Sequence, residues 1–189
     1  MESWSNLYME MAEILAADLN EKEIEKYGML NTIAGRENKT PVRWIDLWNN
    51  QVNFLSDELE FPAPAVFFSY RTMGITDLGE KTQQITLQID CFYFYETFAN
   101  SFQGSFNQDH AIRFLKIMDF INSRFHGTSG INYNSMRKLG FNPEDTGGTG
   151  NLYKITFECI IRDDSAAQDP EEGNFSGIDF QAGYQINQP

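Results

Sequence analysis

The chain has 189 residues, 41% of them hydrophobic, and a formal net charge of −13, so it can bury one sizeable core and is too apolar for a disordered protein. The acidic balance excludes a protein that grips a nucleic-acid backbone through a basic face, because such binders set clustered Lys and Arg against phosphates. Its two cysteines, Cys91 and Cys159, are too few for a disulfide scaffold and form no CxxC pair, which fits a reducing compartment.

The start, MESWSNLYMEMAEILAADLNEKE, lacks the basic beginning and continuous apolar run of a secretory leader. No stretch approaches the run of about 20 apolar residues that spans a bilayer. A soluble chain made in the cytoplasm is expected. Over residues 3–19, Trp4, Leu7, Tyr8, Met11, Ile14 and Leu15 recur every three or four positions and predict an amphipathic helix. Asn20 with Glu23 has the spacing of a capping box that restarts the helix, and Gly28 is its natural stop.

From 29 to 39 the apolar spacing fails and a loop is expected. Thr40-Pro41 suits an N-cap and a first helical turn, and beyond it Trp44, Leu47, Trp48, Val52 and Leu55 fall at helical spacing. The stretch WIDLWNNQ is therefore predicted to open a short second helix running towards Ser56, with Asn49, Asn50 and Gln51 on its polar side. Phe61-Pro62-Ala63-Pro64 ends it, since residues ahead of proline are pushed into extended geometry.

The run AVFFSY, 65–70, is too short for a helix and rich in strand formers, so it predicts a first strand, followed by a loop through Gly74 and Gly79. Residues 85–95 give the clearest strand: Ile85, Leu87, Ile89, Cys91, Tyr93 and Tyr95 form the core face. The opposite face changes from Thr86, Gln88 and Asp90 to Phe92 and Phe94, so its far end is expected beneath another segment or subunit. After a loop, Ser105 with Gln108 has capping-box spacing, and Ala111, Phe114, Leu115, Met118, Ile121 and Phe125 line a helix stopped by Gly127. A short strand over 132–138, a GGTG turn at 147–150 and a last strand alternating Tyr153, Ile155, Phe157, Cys159 and Ile161 complete the pattern.

This order, with few crossover helices, predicts an α+β fold: an antiparallel or mixed β-sheet with two main helices packed on one face. Both cysteines lie on apolar strand faces and read as buried thiols, free to touch if the two strands are neighbours. Residues 1–164 are expected to form one domain and 165–189 an acidic extension. Composition alone describes a disordered tail with no period sustained along its length. Yet Phe175, Ile178, Phe180, Tyr184 and Ile186 recur through it, and an intersubunit arm is the economical reading.

Chemistry-bearing residues are sparse. His110 and His126 stand at opposite ends of one helix with no metal-type spacing. GGTG enters a strand, whereas phosphate loops leave a strand and open a helix. Asp163-Asp164 and Glu171-Glu172 lack the EF-hand pattern and read as a solvated acidic edge. No catalytic residue, metal or cofactor is expected.

The layout, together with WIDLWNNQ, FPAPAVFFSY and NLYKITFECIIRDD, resembles the tail terminator and tail-completion proteins of bacteriophages, in particular small proteins from viruses and prophages of Bacteroidetes. The resemblance covers residues 1–164 in order of elements and those three stretches in residues. It implies a structural protein of the virion. Copies, on the order of six or twelve, would close into a ring at the head–tail junction, between a portal or adaptor ring and a tail ring, with the genome passing through unheld and no membrane involved. Interface candidates are Trp44, Trp48, Asn49, Asn50, Gln51, Phe92, Phe94, Phe175, Phe180 and Tyr184. The C-terminal extension and the 29–39 loop depart from the compact pattern. Two other readings stand beside it, an acidic cytoplasmic adaptor and a small-ligand protein using WIDLWNNQ as a pocket lining.

Overall fold

The computed structural model describes residues 3–31, 36–54, 61–96, 101–146 and 150–167. Helix α1 (Ser3–Ala16) buries Leu7, Met11 and Leu15 completely, one residue per turn on a single stripe. Helix α2 (Glu21–Tyr27) starts with the expected box: Glu23 N–H donates to Asn20 Oδ1 at 3.1 Å and Asn20 N–H to Glu23 Oε2 at 3.0 Å. At its end Gly28 N–H donates back to Ile24.

Five strands form one mixed sheet in the order β1-β2-β3-β5-β4. They are β1 (Trp44–Leu47), β2 (Ala65–Gly79), β3 (Thr82–Tyr95), β4 (Asn134–Glu144) and β5 (Asn151–Asp163), with α3 (Gln108–Phe125) between β3 and β4. Strand β1 runs parallel to β2 and all other pairs are antiparallel. The expected α+β class holds, with α1 and α3 on one face. There Ile85, Leu87, Ile89, Cys91, Tyr93 and Tyr95 meet Val66, Phe68, Ile155, Phe157, Cys159 and Ile161 under the apolar sides of the helices. Each such fully buried side chain contributes about 1.5–3 kcal/mol relative to exposure.

Several expectations are corrected. WIDLWNNQ is not a helix: Trp44–Leu47 is strand β1, followed by a turn and a 3-10 turn at Gln51–Phe54. Thr40 caps no helix, its Oγ1 accepting from Val42 N–H at 3.2 Å. The loop expected through Gly74 and Gly79 is the outer half of the long β2–β3 hairpin, turned at Glu80-Lys81. The strand expected over 132–138 runs instead from Asn134 to Glu144. On α3, Leu115 is exposed, whereas Ile117 and Phe120 enter the core, because the buried stripe is rotated towards the sheet. No Ser105–Gln108 box forms; Gln108 Oε1 accepts from Gly104 N–H at 2.7 Å instead. The two thiols do not touch: Cys91 stands opposite Ile155 and Cys159 opposite Leu87, about 13 Å apart along the strands. Leu55, Ser56, residues 147–149 and 168–189 lie outside the described residues. Among the described residues no helix is long and apolar enough to cross a membrane.

Candidate interaction surface

The tryptophan segment closes one end of the sheet's second face. After β1, Trp48 N–H donates to Phe68 O at 2.9 Å and the Trp48 ring stacks on Phe92 at 4.1 Å and 11°. Phe61 meets Phe67 and Phe94 edge-on at 5.0 and 5.5 Å, and Val52, Ala65 and Leu152 fill the remainder. The aromatic end of β3 is thus covered by the chain's own segment. The carboxamides build a turn rather than a recognition site. Asn50 takes a positive φ of 66°, Gln51 Nε2 donates to Leu47 O at 2.6 Å, and Gln51 Oε1 accepts from Asn49 N–H at 2.9 Å.

The residues singled out from the sequence therefore separate. Trp48, Phe92 and Phe94 come together in this cluster, Phe94 being buried, and Gln51 is buried in the turn. Trp44, Asn49 and Asn50 remain exposed on the surface beside it. Phe175, Phe180 and Tyr184 lie outside the described residues.

The opposite end of the sheet is bare. Every residue over 71–79 of β2 is exposed, and Met73, Ile75 and Leu78 each show more than half of their surface. Ile75 stands opposite Ile85, and Ile85 opposite Ile161, so an apolar row runs across the helix-side face and ends unprotected at β2. Strand β4, the other edge, exposes Leu139 and Phe141. Near the hairpin, an open groove of about 560 Å³ is lined by Asn6, Leu78, Tyr133, Ile160, Arg162 and Asp164 among others. Its wall at 130–132 is held by Glu10, whose carboxylate accepts from Ile131 N–H at 2.6 Å, Asn132 N–H at 2.8 Å and Asn132 Nδ2 at 2.8 Å. Sequence reasoning missed this end because two glycines read as a loop, yet three large apolar residues in a supposed loop were a signal.

Reactive groups among the described residues do not gather at either end. Among the described residues no group of three or more His, Cys, Asp and Glu is placed to hold a metal ion. Burial pushes the Cys159 thiol up to about 12 and, with the neighbouring Asp90 charge, holds Cys91 well above its ordinary value; both thiols are in the unreactive protonated form. His126 Nδ1 accepts from Lys138 N–H at 3.0 Å, so it fastens β4 to the end of α3. The chain matches no protein-family model, and no curated protein matches it.

Proposed function

We propose that the chain is a structural ring subunit of a bacteriophage neck or tail, joining a portal or adaptor side to a tail side around the DNA channel. The observation that carries this reading is the outer edge of the β2–β3 hairpin, exposed over 71–79 of β2 with Met73, Ile75 and Leu78 each more than half open. It presents a surface different in kind from the Trp44 side of the sheet. Two unlike surfaces are what a head-to-tail contact needs, and such contacts close into a ring when the rotation per copy permits. The surplus of 27 acidic over 14 basic residues suits a lumen that lets a polyanion pass without holding it. In this reading the chain has no reaction of its own and works within the virion.

Native mass spectrometry and electron microscopy of the purified full chain provide the test. Closed rings on the order of six or twelve copies, and matching density at the head–tail junction of the particle, are expected. A chain that stays monomeric and is absent from virions would overturn the reading in favour of an acidic adaptor.

A further inference from the structure

Among the described residues, the outer part of β2 is a sheet edge without a neighbour. Strand β1 pairs only with 65–68, and beyond Phe68 no strand among the described residues lies on the side of β2 away from β3. Two bulges bend the strand but leave 69–72 and 74–77 in regular register with β3. Long edges of this kind attract further strands unless they are blunted. Arg71 and Asp77 are the only charged side chains over 69–79, against the exposed Met73, Ile75 and Leu78.

The C-terminal extension contains a segment with the complementary pattern. Although the extension as a whole has no period, Ile178, Phe180, Ala182, Tyr184 and Ile186 alternate with Asp179, Gln181, Gly183 and Gln185. Strict alternation is the mark of a strand with one buried face. Residues 178–186 and the edge over 69–77 have the same number of positions, and each spans about 30 Å when extended. The extension also departs from the right place. Asp163, at the end of β5, pairs with Gln83 beside the hairpin turn, and the described chain continues from there to Ala167, leaving ten positions, 168–177, ahead of the segment.

We propose that residues 178–186 add as a strand to the 69–77 edge of β2 in a neighbouring copy, their apolar face continuing the Ile75–Ile85–Ile161 row. Main-chain hydrogen bonds supply affinity in such strand addition and alternate side chains supply specificity. The acceptor is a neighbouring copy because the head-to-tail contact of the proposed ring joins unlike surfaces of two copies. This rests on the ring reading and supplies its subunit-to-subunit link.

Two full-length variants test it. One alters the donor, Phe180→Asp with Tyr184→Asp; the other alters the acceptor, Met73→Lys with Ile75→Lys, at exposed positions where the melting temperature should not change. Wild type is expected to assemble in native mass spectrometry and each variant alone to be monomeric. A mixture of the two should give a one-to-one heterodimer, in which the intact segment of one meets the intact edge of the other. Amide exchange over 69–79 should slow by about tenfold or more in that mixture. A synthetic peptide of residues 174–189, added in excess, should disperse the wild-type assembly. A donor variant that forms rings like wild type, or a peptide without effect, would leave the ring reading standing and overturn the strand addition. A wild-type chain that is monomeric would overturn both.

Discussion

Gly150 immediately precedes β5 with a φ of +74°, and a β-carbon there would lie 2.5 Å from the Phe94 ring and 2.8 Å from Tyr95 O. Gly150→Ala combines a left-handed backbone with a clash and should cost about 3 kcal/mol in urea unfolding. The two tryptophans of WIDLWNNQ should behave differently from each other. Trp48→Ala loses the stack on Phe92 and should destabilise by about 2–3 kcal/mol, whereas Trp44, 41% exposed, should cost clearly less when replaced by Ala. An equal loss for both would contradict the placement of Trp48 over the sheet. The buried thiols predict a pH dependence with a definite sign. Folded Cys159 keeps its proton up to about 12, while the unfolded thiol ionises near 9.0. Above that value the unfolded state binds fewer protons. Stability is therefore complete below pH 9 and falls towards pH 12, by about 1.4 kcal/mol per pH unit for one thiol. Cys159→Ala should flatten this part of the curve, measured as urea midpoints from pH 8 to 10.5, with Cys91 supplying a remaining slope of the same sign.

Elements are tied together by a few polar side chains whose partners lie far away in sequence. Arg124, in the last turn of α3, donates to the carbonyls of Ile14, Ala17 and Asp18 at 3.1–3.3 Å and pairs with Glu23 at 3.0 Å. It neutralises the negative end of α1, where carbonyls have no helical partner. Glu10 does the corresponding work at the 130–132 turn with three accepted bonds. Glu10→Gln can satisfy those donors only in part and should cost about 1–3 kcal/mol, with faster amide exchange confined to 130–133. Uniform acceleration across the sheet would show instead that the turn is not a local unit. Strand β1 explains why its helical reading failed. Trp44, Leu47 and Trp48 do have helical spacing, but four residues decide little by themselves, and pairing with 65–68 in the parallel register supplies hydrogen bonds that only the tertiary fold can offer.

For the whole molecule, copies in the proposed ring, carrying −13 each, would associate against mutual repulsion. Apolar and main-chain contacts would drive assembly, so screening should help it. Raising ionic strength from about 0.01 M to about 0.15 M shortens the Debye length from about 30 to 8 Å and should shift native mass spectra towards the oligomer. Dissociation with added salt would instead assign the contact to ion pairs. The sequence by itself determined the α+β class, the buried stripe of α1, the Asn20 capping box and the alternation of β3 and β5, because these depend on periods and caps contained within one segment. Tertiary structure alone decided that Trp48 covers Phe92, that Gly74 and Gly79 lie in a strand, and that Cys91 and Cys159 stand apart. Strand partners, register and the covering of a face are long-range relations, and a local spacing compatible with two structures is settled by whichever neighbour the fold supplies. The same reason makes the bare 71–79 edge visible only in the fold, while the alternating segment that would cover it is legible in the sequence.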